Sequence, residues 1–185
     1  KKDAYPKKIL NQLYKMTPLQ SNFHYNMLAL VDSIQPRVLG LQEILQEFIK
    51  HRRIVVRRRT EFELKKAKAR AHILEGLKIA LDHIDEVIKT IRASKTTEIA
   101  EASLISKFGL SEIQAKAILA MQLRRLTGLE REAIENELKA LLELIAKLEA
   151  ILADENEILR IIKEELIEMK DKFGDDRRSK IINHE

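Results

Sequence analysis

The chain has 185 residues and a net charge of +5, a length that fits one domain or one elongated module. Charged residues make up 34% and aromatics 4%, with five glycines and three prolines, which suits long helices better than a sheet-rich globule. The absence of cysteine excludes a disulfide framework and a thiolate metal site, and no apolar run approaches the roughly 20 residues of a membrane span.

In chain order, residues 3–16 (DAYPKKILNQLYKM) predict a short amphipathic helix with Ile9, Leu10, Leu13 and Tyr14 on one side. Pro6 suits its first turn, where no amide donor is needed, and Pro18 ends it. Phe23 to Val31 reads as a strand, DSIQP at 32–36 as a turn, and Arg37–Leu39 as a short return strand. A hairpin this small is marginal alone, so it is expected to belong to a larger subdomain. Gly40 opens a long predicted helix from Leu41 to Arg92, whose second half carries Ile73, Leu77, Ala80, Ile84, Val87 and Ile91 in steps of four and three.

SKTTE at 94–98 breaks that helix. Ser111 with Gln114 and Thr127 with Glu130 fit the capping box, and Asp154 with Glu157 has the same spacing. Gly109 and Gly128 sit where a left-handed residue would close a preceding helix. Residues 97–127 therefore predict two short helices. A third long helix runs from about Leu129 to Phe173, with a break or kink at Asp154. Its apolar residues are Ile134, Leu138, Leu141, Ile145, Leu148, Leu152, Leu159, Ile162, Leu166, Met169 and Phe173, with Glu155 the single miss in the register. Such a stripe every three and a half residues marks a coiled coil, here roughly 60 Å long.

The predicted fold is mainly α: a long antiparallel coiled coil capped by a small helical knob, with a β-hairpin near the N-terminus. The knob helix SEIQAKAILAMQLRRL (111–126) is apolar nearly all round. One face packs on the arms, and the simplest cover for the other is a second copy through a two-fold contact. Complete mutual cover by the two short helices is the bland alternative.

Charge is divided unevenly. Up to Arg70 there are sixteen Lys and Arg against six Asp and Glu; from Ala71 onward there are eighteen against twenty-three. The stretch Lys50–Arg70 alone has ten cations against two Glu. A polyanion met at one end only explains the split; the alternative is an ordinary solvated helix surface.

Catalytic signatures are missing. There is no P-loop, dinucleotide-binding glycine turn or GxSxG elbow. His24, His51, His72, His83 and His184 show no metal spacing, and His72 and His83 read as solvent-exposed or packed on a helix. Tyr5, Tyr14 and Tyr25 are each candidates for a nucleophile, but Tyr14 on an apolar helix face and Tyr25 in a predicted strand read as packing residues.

The segment FGLSEIQAKAILAMQLRRLTGLE (108–130) closely resembles the exit-gate segment of the A subunits of bacterial type IIA topoisomerases, the DNA gyrase and topoisomerase IV family. QLYKMTPLQSNF, NMLALVD, VVRRRTEFELKKAKARAHILEGLKIALDHIDEVI, LADENEILRIIKEEL and FGDDRRSKI extend the likeness in family order. LTGLE and AHILEGLKIALDHIDEVI lean toward gyrase, with topoisomerase IV as runner-up. Two departures fall in the hairpin: relatives carry Phe-Gly-Ile-Asn-Met where this chain has Phe23-His24-Tyr25-Asn26-Met27, and DGQP where it has DSIQP.

The resemblance implies an internal piece of a breakage-reunion subunit. Residues 1–40 would be the end of the tower, 41–96 the first arm, 97–128 the exit-gate dimerisation knob, 129–174 the return arm, and 175–185 a tail toward a wrapping domain. It implies a cytoplasmic enzyme with a homodimer of A subunits, B subunits carrying the Mg and ATP sites, and double-stranded DNA as substrate. The nucleophilic tyrosine would lie upstream, and none of Tyr5, Tyr14 and Tyr25 matches its motif. Phe108, Leu110, Ile113, Ala117, Ile118, Met121 and Leu123 are the expected latch and knob-core residues. Arg52, Arg53, Arg57, Arg58, Arg59, Lys65, Lys66, Lys68 and Arg70 are the expected DNA-facing cations. The competing class is a non-enzymatic coiled-coil dimer scaffold; a sequence-specific DNA binder lacks any recognition helix.

Overall fold

The computed structural model describes residues 5–32, 34–121 and 128–182, with backbone alone at 128–130. The chain divides into two compact units, Lys1–Lys50 and His51–Glu185. In the first, α1 (Pro6–Met16) begins with Pro6 in its first turn and ends where Thr17 turns back, its amide and hydroxyl both donating to the Leu13 carbonyl at 2.9 and 2.6 Å. Ile9, Leu10, Leu13 and Tyr14 line one side of α1 as expected but remain exposed.

The hairpin is narrower than expected. β1 (Leu28–Val31) pairs antiparallel with β2 (Gln35–Val38) in the register Leu28↔Val38 to Val31↔Gln35. The expected strand from Phe23 is strand only over its last four residues, and the return strand starts two residues early, with Pro36 inside it. Proline is tolerated because a two-stranded sheet has only edge strands. Val31 pairs with Gln35, so the loop has three residues, and Asp32 takes a left-handed φ of 52° that short polar side chains tolerate.

α2 (Leu41–Asp82) starts beside Gly40, whose amide donates to Glu43 Oε2 at 3.0 Å. The single helix expected to reach Arg92 is divided. His83 leaves helical geometry at φ −119°, ψ 36°, and α3 (Ile84–Ala93) follows. At this bend the His83 ring stacks on Phe108, centroids 6.0 Å apart, and Arg131 pairs with Asp82.

In the second unit α2 is followed by α3, α4 (Thr97–Phe108), α5 (Glu112–Leu119), α6 (Gly128–Ala153) and α7 (Glu155–Phe173). Ion pairs fix the direction of pairing. Partners of Arg52, Arg57, Lys68, Arg70 and Asp82 are Glu165, Glu155, Glu149, Glu137 and Arg131, falling as the α2 number rises. α2 is therefore antiparallel to α6 and α7, as the stripes predict.

Two apolar clusters hold this unit. One joins Ala71, Leu74, Leu77, Ala80 and Leu81 of α2 to Val87, Leu104, Leu110, Ala115, Ile118, Ile134 and Leu138. The other sets Val56 against Ile151, Ile158 and Ile162. The buried band on α2 is wider than the predicted stripe because α5 and α6 both cover it. Asp154 does interrupt the return arm, with extended backbone at φ −122°, ψ 119° and its carboxylate accepting from the Asn156 amide at 2.9 Å. Across that joint Ile151 and Ile158 are buried, and the expected Leu152 and Leu159 lie at the edge of the seam. Leu166, Met169 and Phe173, the stripe's last members, are exposed.

Candidate functional site

The knob is built by local signals. α4 starts on Thr96, whose hydroxyl accepts from the Ile99 amide at 3.3 Å, and ends on Gly109 in the left-handed region at φ 65°. Two residues later Ser111 caps α5. The Gln114 amide donates to Ser111 Oγ at 3.3 Å and the Ser111 amide to Gln114 Oε1 at 2.9 Å, completing the predicted capping box. α5 stops at Leu119, short of the expected Leu126. Thr127 and the side chain of Glu130 lie outside the described residues. Gly128 is the first residue of α6, and the segment it is expected to close, up to Thr127, lies outside the described residues.

A polar contact then fixes the knob to the arm. Gln114, 6% exposed, donates from Nε2 to the His72 carbonyl oxygen at 2.7 Å and toward His72 Nδ1 at 3.4 Å. A donor at Nδ1 makes that nitrogen the acceptor, so His72 Nε2 carries the hydrogen facing Ser111 Oγ, 2.7 Å away. The approach requires Gly76. A Cβ on Gly76 would sit 2.6 Å from Gln114 Cγ and 2.7 Å from its Cβ. His72 is thus a specific fastening residue, and Gly76 is one that sequence reasoning missed. A lone glycine deep in a 42-residue helix was the available signal.

The expected latch residues separate into two groups. Leu110 and Ile118 are buried in the chain's own core. Phe108, Ala117 and Met121 are half-buried, and Ile113 is 61% exposed. Ile113, Ala117 and Met121 are four residues apart and form one strip along and just beyond α5. Leu123 lies outside the described residues.

The expected cations also separate. Arg52 and Arg59 both pair with Glu165, the latter at 2.7 Å; Arg57 and Arg53 reach Glu155 at 2.8 and 4.0 Å. Lys68 pairs with Glu149, and Arg70 is bidentate to Glu137 at 2.7 and 2.9 Å. These six side chains pair α2 with the return helices α6 and α7. Arg58, Lys65 and Lys66 are exposed and have no carboxylate within ion-pairing distance among the described residues. Burial pushes the Glu165 carboxyl up, but Arg59 and Arg52 outweigh it and hold it below the usual carboxylate range. The Glu137 hydrogen bond raises the Arg70 guanidinium further.

Among the described residues no group of three or more His, Asp or Glu is placed to hold a metal, and no helix is long and apolar enough to cross a membrane.

The sequence pattern of the family described as the A subunit of DNA gyrase/topoisomerase IV matches residues 1–167. The chain belongs to this DNA gyrase/topoisomerase IV A-subunit family. It is 63% identical to the A subunit of DNA gyrase from Clostridium acetobutylicum, over 98% of this chain and 22% of that protein. The A subunits of DNA gyrase from Staphylococcus epidermidis and from Halalkalibacterium halodurans are each 59% identical over 98% of this chain, covering 20% and 22% of their own lengths. The chain spans about a fifth of the length of the curated relatives it matches.

Proposed function

We propose that this chain supplies the arm and exit gate of a gyrase-type A subunit, and that the strip Ile113–Ala117–Met121 is the latch that meets its own copy. The observation that carries the reading is Ile113, a large apolar side chain left exposed on a helix that is otherwise rigidly fastened to α2. A floppy knob would spend its apolar contacts ordering itself. This one is capped, cored by Leu104, Ala115 and Ile118, and pinned by Gln114, so its outward strip is preorganised for a partner. Burying each Ile113 contributes roughly 2 kcal/mol, and a latch of a few such contacts opens reversibly.

In the homodimer two arms would border a chamber below the cleaved DNA, and the latch would part to release the transported duplex during ATP-dependent supercoiling. The upstream tyrosine would carry strand cleavage. Mg and ATP would be held by the B subunit: the described residues of this chain offer no convergent carboxylates for a metal and the sequence no phosphate loop, so no step runs through either group here. The regions 1–40, 41–96, 97–128, 129–174 and 175–185 would then serve as tower end, arm, gate, return arm and tail.

The test is sedimentation of the full-length A subunit carrying Ile113→Glu at micromolar concentration, with Leu144→Glu on the exposed surface of α6 as control. The expected result is monomer for the first and dimer for the second. A dimeric Ile113→Glu protein with unchanged self-affinity overturns the latch. Ile118→Glu is a poor probe because it places a charge in the chain's own core.

A further inference from the structure

The unpaired cations share one side of α2. At about 100° per residue, Ile54, Arg58, Phe62, Lys65 and Lys66 fall within roughly 120° of arc. The opposite side carries Val56, Thr60 and Ala67, which are buried. The ion-paired cations flank that seam: Arg52, Arg59 and Arg70 on one edge, Arg53, Arg57 and Lys68 on the other. So the nine cations from Arg52 to Arg70 form two populations. Six side chains serve the arm-to-arm seam, and three lie away from it beside an aromatic ring that is 67% exposed. Between Ile54 and Lys66 the nearest carboxylate on α2 is Glu61, just outside one edge of the arc.

The arc continues directly toward the knob. His72 and Gly76 lie on the same side of α2, and there α5 covers them through Gln114. Short of α5 the arc is exposed, with Arg58 to Lys66 spanning about 12 Å along the helix.

We infer that the strip Ile54–Arg58–Phe62–Lys65–Lys66, on the knob side of α2 and opposite the return arm, is a contact surface for the phosphate backbone of the transported duplex, which rests on the gate reading above. The chemistry fits a duplex that moves past: flexible cations without fixed partners meet phosphates at any register and read no sequence. Ile54 and Phe62 add apolar contact with sugars without demanding a base. The paired arginines cannot serve in the same way, because each would have to abandon a glutamate that holds the arms.

The experiment uses the holoenzyme of full-length A and B subunits on duplex DNA, with photoreactive benzoylphenylalanine in place of Phe62. Crosslinking to DNA well above that of the same probe at Leu142 is expected. Three phosphate contacts make its yield fall roughly as the inverse 2.7 power of salt concentration. The combined R58Q, K65Q and K66Q variant should lose the crosslink, while R52Q with R59Q should keep it and lower the melting temperature. Background-level crosslinking, crosslinks to protein only, or a DNA crosslink indifferent to R58Q, K65Q and K66Q would each overturn the inference. Sedimentation of the Ile113→Glu protein reads the latch separately, so either idea can fail while the other stands.

Discussion

Gly76 and Gln114 are in contact because one of them has no side chain. The glycine sits inside α2, six residues before its end at Asp82, where alanine would favour the helix by about 1 kcal/mol. That gain is outweighed, since a Cβ would meet Gln114 at its Cβ and Cγ, atoms that cannot swing aside while α5 is capped on Ser111. Gly76→Ala is expected to lower stability by roughly 1–3 kcal/mol through overpacking, read as a drop in melting temperature. In a Gln114→Gly background, which removes both of those atoms, the same change should cost distinctly less. A Gly76→Ala chain as stable as the parent would show that α5 does not rest there.

Gly109 makes the opposite use of glycine. Nothing lies within 4 Å of where its Cβ would be, and its φ is +65°. The requirement is conformational, not steric. Gly109→Ala should cost about 1 kcal/mol, and Gly109→Asn distinctly less, because asparagine tolerates the left-handed region. Thermal melts of the two variants side by side check this; equal losses would argue for a packing cause instead.

These two glycines show what was legible in the chain. Gly109 follows a helix and precedes a capping serine, so its role is written in local order, as are the Ser111–Gln114 box and the Asp154 joint. Gly76 is explained only by a residue 38 positions away, and no local pattern names its partner. The same division applies to charge. The richness of Lys50–Arg70 is plain in the sequence, yet which cations are free depends on Glu137, Glu149, Glu155 and Glu165 returning alongside on α6 and α7. Heptad spacing named the arms and their antiparallel course. It could not foresee the break at His83, where a tertiary contact with Phe108 competes with a continuous helix.

Glu165 gives the arm a pH dependence of known sign. Its carboxyl, pushed up by burial but held down more strongly by Arg59 and Arg52, titrates in the folded chain below its unfolded value of about 4.3. A depressed folded value means the stabilisation is fully present above the unfolded pKa and is lost as pH falls through the folded one. Melting temperature should therefore decline on acidification below about pH 5, and Glu165→Gln should flatten that part of the profile while lowering stability at neutral pH. A variant whose acid limb matches the parent's would assign the decline to other carboxylates.

Asp154 holds the joint by starting α7 afresh. Its carboxylate takes the Asn156 amide, and Glu155, in the first turn beyond it, is gripped by Arg57 and approached by Arg53. Removing the cap with Asp154→Ala should cost about 1 kcal/mol. The loss should be local, because Val56 still bridges Ile151 and Ile158 across the break. Amide hydrogen exchange distinguishes the outcomes: protection should fall in the first turn of α7, from Asn156 onward, and hold in α6 around Leu148. If alanine instead raised protection on both sides of residue 154, the arm would prefer one continuous helix, and the aspartate would be what keeps the joint.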